Sequence, residues 1–407
     1  MKNILLDIIN SAIKNASPEV RVREYLKHRN YDNNITVISV GKAACTMAKA
    51  VYDTIGDKIR QGFVLTKYGH SIDLPDVFSV YEAGHPIPDE NSVRYTSLIL
   101  DEAQKLGKND RILFLLSGGA SAIFEKPKIP LQELRSLTDS LLRCGADIKE
   151  INAVRKAMSL VKGGAFANSV SCPVECIILS DVIGNEISAI GSGPCCTCDT
   201  TPENALAVMD RYFPEDSFEK IKDIIKNTVF REVTNATNTV IGSVIELRDG
   251  AVKACEEHGY SIHSVSLIEG EARDNAEKIV RQALDLAHTT AEKKAIICYG
   301  ETTVTVKGVG KGGRNQEMAL TAAIELKNTD KQIIFASVGS DGTDGPTDAA
   351  GGFADKNTYM KMKNAGINPE NELSNNNSFS ALKAVNSIII TGATGTNVND
   401  IIIALVN

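Results

Sequence analysis

Short apolar runs alternate with amphipathic stretches through the first half of the chain. Continuous Val, Ile and Leu runs bounded by glycine are typical of strands buried on both faces of a sheet. Alternation of such strands with helical periodicity predicts parallel crossovers, and therefore an α/β sandwich. Strands are expected at Ile35–Val40, 63–66, 78–81, 112–116 and Val174–Leu179, and helices at 43–55, 92–105 and 131–142.

The apolar pattern weakens over residues 202–238, and we place a domain boundary near residue 235. The predicted fold class is α/β with two domains. A Rossmann-like three-layer α/β/α domain with a mainly parallel sheet covers 1–235, and a second α/β domain covers 236–407. Two of its strands are separated only by residues 300–302, which predicts an antiparallel hairpin and a mixed sheet. An N-terminal helix at 4–14 fits on either domain. Strands of the second domain are expected at 239–241, 262–266, 295–299, 303–307, 333–338, 388–391 and 401–406.

The composition is that of an ordinary globular protein. Of the 407 residues, 43% are hydrophobic and 23% are charged, and the formal net charge is −7. This negative charge argues against a nucleic-acid or anionic-membrane surface over the whole protein. An anionic ligand must therefore be held by local groups. The 31 glycines are an average number, but many of them cluster where predicted strands end.

No segment has the features of a targeting signal or a membrane span. The longest apolar runs, such as 401–406, are strand-sized and well below the ~18 residues of a membrane helix. Nine cysteines are too few for a disulfide scaffold, so we expect a cytoplasmic protein with free thiols. A zinc site is the less favoured interpretation of five cysteines with near-ligand spacing, namely Cys172, Cys176, Cys195, Cys196 and Cys198.

Two glycine loops after predicted strands are candidate anion sites. Gly41 and Lys42 precede a helix, where backbone N–H groups and an ammonium can converge on a phosphate or carboxylate. An ordinary β–α turn is the simpler alternative. Ser117, Gly118 and Gly119 end another strand and allow a phosphate to approach the backbone. This second loop matches neither a Walker A loop nor a hydrolase nucleophile elbow, so Ser117 is better interpreted as a ligand contact.

Acidic and amide side chains follow other strands. Asp181, in a loop that continues to Asn185, can orient a substrate hydroxyl, accept its proton or bind Mg²⁺. A turn-forming Asp is the alternative. Asp341 and Asp344 belong to an acidic loop that lacks the EF-hand Gly and Glu positions, which leaves a hard-cation or polyol site. Asn397 lies in a polar turn between two apolar strands.

The densest glycine cluster covers residues 308–313 and ends at Arg314, shortly after Glu301. The pattern predicts a flexible loop that places Arg314 and helix N–H groups on an anion. A dinucleotide fingerprint is rejected, because the spacing is Gly-x-Gly-x-Gly-Gly and the loop does not follow the first strand of a βαβ unit.

In their order along the chain, these loops resemble the type-2 glycerate kinase family, whose C-terminal part is known as the MOFRL domain. The similarity extends over nearly the whole chain. The matching segments are 40–44, 84–89, 116–122, 151–156, 162–164, 180–194, 310–317, 341–351 and 392–400.

The resemblance implies an ATP-dependent kinase that transfers the γ-phosphoryl group to D-glycerate, with Mg²⁺, in a cleft between the two domains, giving 2-phosphoglycerate. It implies Lys42 and Arg314 as cations, and Asp181 as proton acceptor or Mg²⁺ ligand. The partner is a small molecule, with no nucleic acid and no membrane, and a homo-oligomer stays open. Substrate or ATP contacts are expected from Ser117, Gly118, Gly119, Asn185, Glu301, Gly312, Gly313, Asp341, Asp344 and Asn397, with the N–H groups of the first three cradling phosphate.

Several positions depart from the family pattern. Asn185 stands where the family has Asp, Cys195 replaces a Thr, and Ala393 replaces a Pro. These changes leave open a kinase for a related small hydroxy acid. Hydroxypyruvate reductase is a second alternative, although it needs a nicotinamide site that no motif here supplies. A non-catalytic sensor of a sugar acid is a third.

Overall fold

The structure of the protein is a computed structural model that describes residues 1–32, 34–213 and 217–407. Its Cα positions form two compact units. The first unit is Arg21–Ile241, and the second combines Met1–Val20 with Gly242–Asn407. The first helix, α1 (Lys2–Asn15), therefore belongs to the second unit.

A six-stranded sheet in the order β3-β2-β1-β4-β5-β6 forms the centre of the first unit. The neighbours from β3 to β5 pair in parallel. The sheet order reverses between β1 and β4, and this is where ligands bind at the carboxyl edge of open α/β sheets. The strands are β1 (Ile35–Val40), β2 (Ile59–Lys67), β3 (Phe78–Ala83), β4 (Arg111–Leu116), β5 (Val174–Leu179) and β6 (Ala236–Gly242).

The placement of β6 differs from the sequence-based expectation. Residues 239–241 were predicted to be a strand of the second sheet, whereas β6 borders β5 in the first sheet. The expected boundary near residue 235 thus falls just before the last strand of the first unit. Residue 235 already contacts the start of β5, since the N–H of Val174 donates to the carbonyl of Asn235 at 2.9 Å.

Neighbouring residues of the central strands bury opposite faces of the first sheet. Val37 packs with Met47 in one apolar cluster, whereas Ile38 packs with Ile99 in another. The sheet is therefore covered on both sides, as its continuous apolar strands predict. The helices after α1 are α2 (Pro18–Leu26), α3 (Ala44–Ile55), α4 (Glu90–Gln104), α5 (Ala120–Ile123), α6 (Leu131–Arg143), α7 (Ile148–Ala157), α8 (Ala165–Asn168), α9 (Pro202–Tyr212) and α10 (Glu219–Lys226).

The second unit contains a mixed sheet in the order β11-β10-β9-β12-β8-β7. The pair β7 and β8 is parallel, and the other pairs are antiparallel. The predicted mixed α/β sheet is confirmed. The strands are β7 (Ser261–Glu271), β8 (Lys294–Thr303), β9 (Ile333–Gly339), β10 (Gly351–Asp355), β11 (Ile388–Ile389) and β12 (Asp400–Val406).

The predicted hairpin around residues 300–302 is wrong, because β8 runs without interruption through these positions. Gly300 pairs with Ile268 on one side and Asp400 on the other. Its φ of +141° favours glycine, and a Cβ there would lie 2.1 Å from the carbonyl oxygen of Ile268. The glycine therefore permits a close strand approach and not a turn.

Helix α1 packs on α11 (Val244–Glu257), the helix that follows β6. Gly250 makes this approach close, since a Cβ there would lie 2.7 Å from the Cβ of Asn15. Within the described residues, no helix has the length and apolar content that crossing a membrane requires. The remaining helices are α12 (Ala272–Thr289), α13 (Arg314–Glu325), α14 (Thr358–Asn364), α15 (Pro369–Ser374) and α16 (Ser378–Ala384).

Candidate functional site

The loops that follow β1 and β4 are joined by hydrogen bonds at the point where the sheet order reverses. The N–H of Lys42 donates to the carbonyl of Gly118 at 2.9 Å, and the N–H of Ala43 donates to Ser117 Oγ at 3.1 Å. Gly41 has φ +115°, and a Cβ there would lie 2.4 Å from the carbonyl oxygen of Ser117. The two loops therefore form one ordered edge, and glycine is needed for their close approach.

Ser117 has a different role from the one expected. Its N–H was predicted to face a phosphate, but it donates to the carbonyl of Val40 at 3.0 Å. Its hydroxyl donates to the same carbonyl at 3.2 Å. In the part of the chain that the structure describes, the N–H groups of Gly118 and Gly119 have no acceptor. The open donors of this loop are thus those of the two glycines.

Side chains from three other loops converge on this glycine pair. A Cβ on Gly119 would lie 3.1 Å from Lys42 Cγ and 3.2 Å from His85 Nε2. A Cβ on Gly118 would lie 2.2 Å from Asp181 Oδ2. The carboxyl ends of β1, β3 and β5 therefore place an ammonium, an imidazole and a carboxylate around the end of β4.

Lys42 and His85 differ in charge. No ion-pair partner of Lys42 occurs among the described residues, so its ammonium is available to an anion. Burial lowers the pKa of His85 to about 4, and the positive charges of Lys42 and Lys67 add to this effect. His85 is consequently neutral near pH 7.

A buried ionic cluster supports the segment that follows the glycine pair. Lys162 is 1% exposed, and its Nζ donates to the carbonyls of Ser121 at 2.8 Å and Phe124 at 3.1 Å. Arg155 donates to the Ser121 carbonyl at 2.7 Å. Burial lowers the pKa of Lys162 to about 8, although Glu125, at 3.2 Å, opposes this. These cations hold the backbone of the loop in place.

In the second unit, Arg314 is bound by carboxylates of its own chain. Its Nε lies 2.5 Å from Asp400 Oδ2 and its Nη2 lies 3.1 Å from Asp400 Oδ1, while Nη1 contacts Glu301 at 2.7 Å. Burial opposes the charge of Arg314, but the hydrogen bonds and charge of Asp400 outweigh it and raise the pKa of Arg314. Most of the guanidinium fork that was expected to grip an anion is therefore already engaged.

The N-terminus of α13 is likewise bound by a carboxylate of the same unit. Asp344 is 4% exposed, and its carboxylate accepts the N–H groups of Asn315 at 3.1 Å and Gln316 at 2.8 Å. A Cβ on Gly313 would lie 2.3 Å from Asp344 Oδ1. The expectation that these helix N–H groups face a ligand is corrected, because the Asp344 carboxylate takes the position of the anion.

The glycine-rich loop before Arg314 packs against three consecutive asparagines. Asn376 Oδ1 accepts the N–H groups of Lys307 and Gly308 at 2.8 and 2.9 Å. The side chains of Asn375 and Asn377 accept two further N–H groups of this loop. A Cβ at Gly308 would approach the Asn375 carbonyl oxygen to 2.3 Å. The alternating glycines are thus explained by a close backbone approach between the two segments.

The other predicted site residues lie in different loops. Asn185 has φ +56° in a turn after β5, and Asp341 accepts the N–H of Thr343 at 2.9 Å in a local turn. Asn397 is half-buried in the loop before β12. A Cβ on Gly312 would lie 2.1 Å from Ser378 Oγ. These contacts do not test whether the four positions bind a ligand, which stays a prediction.

Sequence reasoning gave no role to His85 and Asp400. His85 lay in a segment that was noted only for its family resemblance, and Asp400 opens an otherwise apolar strand. A lone acidic residue at the start of such a strand is a usable signal, because a buried carboxylate requires a partner. The partner itself, Arg314, is distant in the sequence.

The carboxylate by the glycine pair fits a Mg²⁺ ion bound together with a nucleotide. In the described ranges, no group of three His, Cys, Asp or Glu side chains could hold a metal by itself. Mg²⁺ is commonly held by one or two carboxylates, substrate phosphates and water. Asp181, whose carboxylate lies against Gly118, can supply one such carboxylate.

The cysteines 172–198 form no such metal group among the described residues. All nine cysteines are free thiols. Burial raises the pKa of Cys196 to about 12, so this thiol is protonated near pH 7. Cys172, Cys176 and Cys195 are buried among apolar side chains of the first sheet.

This geometry defines an α/β protein with an ordered, glycine-rich loop edge at the point where the strand order of a parallel sheet reverses. Residues 4–226 match the family described as "Domain of unknown function (DUF4147)", and residues 294–400 match the MOFRL family. The chain belongs to the type-2 glycerate kinase family, as its sequence motifs predict.

Individual relatives extend this similarity to the full length. D-glycerate 2-kinase of Thermotoga maritima is 43% identical, with 100% of this chain and 98% of the relative covered. Glycerate 2-kinase of Pyrococcus horikoshii is 36% identical, with coverages of 100% and 97%. A crystal structure of glycerate kinase from Thermotoga maritima matches with a TM-score of 0.95 at 43% identity, covering 100% of this chain and 99% of that chain. The predicted family and fold class are confirmed.

Proposed function

We propose that this chain transfers the γ-phosphoryl group of ATP to D-glycerate and forms 2-phosphoglycerate. The observation that carries the proposal is the convergence of Lys42 and Asp181 on the open N–H groups of Gly118 and Gly119. The family supports the choice of reaction, since relatives similar over the full length are named D-glycerate 2-kinase and glycerate 2-kinase.

Phosphoryl transfer depends on positioning and charge neutralisation more than on covalent catalysis. The ammonium of Lys42 and the N–H groups of Gly118 and Gly119 bind oxygens of the transferring phosphate. Asp181 would hold Mg²⁺, and the ion would neutralise part of the negative charge of the phosphate during transfer. Because the loops are joined by hydrogen bonds before any ligand arrives, the site requires little reorganisation.

Arg314 enters the proposal as an oriented cation. Asp400 is 2% exposed and fixes one edge of the guanidinium, whereas Glu301 is 48% exposed. An exposed ion pair is worth only about 0–1 kcal/mol. The Glu301 contact is therefore the one that an anionic ligand replaces, with the Asp400 pair kept. Glu301 is then free to accept a substrate hydroxyl.

The wider setting follows from the same proposal. ATP is the phosphate donor and glycerate the small-molecule partner, and the two compact units serve as the two functional domains. The nine free thiols favour a reducing compartment, so we place the activity in the cytoplasm.

The test is an ATP-consumption assay with Mg²⁺ over D-glycerate, L-glycerate and related small hydroxy acids. We expect the highest kcat/KM with D-glycerate, and no turnover when Mg²⁺ is chelated. Absence of ATP consumption with every acceptor would contradict the proposal. Parallel incubation with NADH and hydroxypyruvate identifies a reductase, and stabilisation by D-glycerate without turnover identifies a sensor.

A further inference from the structure

The segment 84–89, which follows β3, is held at several points. The Asp89 carboxylate accepts the N–H of Ser92 at 2.8 Å and the hydroxyl of Tyr68 at 2.6 Å. The Nε of Arg135 donates to the carbonyl of Pro88 at 2.8 Å. A Cβ on Gly84 would lie 2.8 Å from the carbonyl oxygen of Ile87, so the segment is folded tightly on itself. The side chain that it presents to the glycine pair is thus held by an ordered loop.

That side chain is His85. Its Nε2 and Cδ2 lie 3.2 and 3.1 Å from the position of a Cβ on Gly119, with Lys42 Cγ 3.1 Å from the same point. The ring is half-buried, and neither ring nitrogen has a hydrogen-bond partner in the described ranges. One edge of the imidazole therefore lies beside Gly119, and its ring nitrogens are left to contact a ligand.

The surroundings of His85 disfavour its charged form. Burial is the largest effect on its pKa, followed by the charge of Lys42 after β1 and that of Lys67 at the end of β2. His70, in the loop after β2, acts in the same direction. A neutral imidazole carries one nitrogen that accepts a hydrogen bond, which an ammonium or guanidinium cannot do.

We propose that His85 is a catalytic residue whose acceptor nitrogen binds the 2-hydroxyl of D-glycerate and orients its oxygen toward the phosphate at Gly118 and Gly119. This inference rests on the proposed function. Lys42, whose Cγ lies 3.1 Å from the same Cβ position on Gly119, neutralises the phosphate, so hydroxyl and phosphate meet next to the imidazole and the ammonium. The division of roles leaves Asp181 for Mg²⁺.

The hydroxyl oxygen forms a bond to the γ-phosphorus as the bond from phosphorus to the β–γ bridging oxygen breaks, and ADP leaves with that electron pair. The hydroxyl proton passes to the free imidazole nitrogen and from there to water. In a loose transition state the proton is lost late, when the bond to phosphorus has made the hydroxyl acidic. A weakly basic imidazole is sufficient for this transfer.

The kinetic test compares His85→Leu and His85→Gln with His28→Asn, a control at an exposed histidine outside the site. We expect His85→Leu to lower kcat with D-glycerate by about 10²-fold or more, with the KM for ATP within about twofold of wild type. His85→Gln keeps a hydrogen-bond acceptor but cannot take the proton, so it restores the KM for D-glycerate and not kcat. Thermal unfolding identifies variants that fail to fold. A kcat of His85→Leu within about twofold of wild type would overturn the inference.

A second measurement does not depend on turnover. NMR of the wild-type protein with ¹⁵N-labelled histidines, assigned with His85→Gln, reports the protonation of each ring nitrogen. We expect a neutral ring from about pH 6 to about 8, and a shifted acceptor nitrogen when D-glycerate or D-lactate is added, but not with 3-hydroxypropanoate, which lacks the 2-hydroxyl. A protonated ring, or no response to D-glycerate, contradicts the inference. A response without ATP consumption by the wild type instead contradicts the proposed kinase function alone.

Discussion

Two regions of this molecule carry similar sequence patterns and use them differently. Each joins glycines to a cation at the start of a helix: Lys42 beside Gly118 and Gly119 in the first unit, and Arg314 after Gly313 in the second. The first region leaves its ammonium and two N–H groups without protein partners among the described residues. The second satisfies its cation with Asp400. A glycine loop next to a cation therefore indicates an anion, which is a ligand in one case and a carboxylate of the chain in the other.

Burial explains why carboxylates of the chain itself bind the donors of the second region. Asp344 and Asp400 are 4% and 2% exposed, and carboxylates at such positions require hydrogen-bond donors. The N-terminus of α13 and the fork of Arg314 provide them. Burial raises the pKa of Asp400 to about 6, even though Arg314 acts to lower it.

The largest expected effect is on activity in the first region. Lys42→Ala removes the unpaired ammonium, and we expect kcat/KM with ATP and D-glycerate to fall by about 10²–10³-fold, the loss typical of one group that stabilises transition-state charge. The free energy of unfolding should stay close to that of wild type, because Lys42 makes no ion pair among the described residues. Steady-state kinetics measures the effect.

The matched control is Lys105→Ala, at an exposed lysine that pairs with Glu102 on α4. It should leave kcat/KM unchanged. Equal activity of Lys42→Ala and Lys105→Ala would show that the anion is bound elsewhere.

In the second region, Arg314→Ala should lower stability as well as activity. Removing the guanidinium leaves the buried Asp400 unpaired, and breaking such a pair costs about 3 kcal/mol. Urea denaturation measures this cost. The double variant Arg314→Ala with Asp400→Asn removes the unpaired charge and should regain most of the stability.

The double variant also tests the role of Arg314. Continued loss of activity after stability is regained indicates that Arg314 contacts the ligand. Recovery of activity together with stability would instead assign Arg314 to the internal network alone.

A smaller loss of stability is expected when the glycine-rich loop loses its support. Asn376→Ala leaves the N–H groups of Lys307 and Gly308 without their acceptor and should cost about 2 kcal/mol. Asn371→Ala, at an exposed position of α15, is the control and should stay within about 0.5 kcal/mol of wild type. Similar unfolding curves for the two variants would contradict the role assigned to Asn376.

The smallest effect is a change in how stability depends on pH. The folded pKa of His85 is about 4 against an ordinary value of 6.5, so between these values the unfolded chain binds more protons. The free energy of unfolding therefore rises with pH across this window, and the His85 contribution is lost as pH falls toward 4. His85→Gln should show a weaker rise than His28→Asn in denaturant titrations. Parallel pH curves for the two variants would mean that His85 is not neutral in the fold.

Much of the first unit could be predicted from the sequence, because its central strands are continuous apolar runs buried on both faces. The motif around Gly118 and Gly119 located the ordered edge, and the position of Asp181 after β5 agrees with it. These predictions depend on local pattern, which the fold preserves.

The features that could not be predicted from the sequence depend on contacts between residues that are far apart along the chain. The pairing of Arg314 with Asp400 and of Asp344 with the start of α13 joins segments that no local pattern connects. A hairpin was predicted within β8 because only residues 300–302 separate two strand-like runs, and this short polar break is also compatible with a turn. The neutral state of His85 results first from burial and then from the charges of Lys42 and Lys67, so its chemistry appears only once the surrounding segments are folded.

The most direct test of the account is ³¹P NMR of the wild-type protein with ATP, Mg²⁺ and D-glycerate. We predict that the γ-phosphate signal of ATP is replaced by that of a phosphomonoester whose phosphorus couples to the single proton on carbon 2 of glycerate. Release of inorganic phosphate without this ester, or an unchanged ATP spectrum, would contradict it.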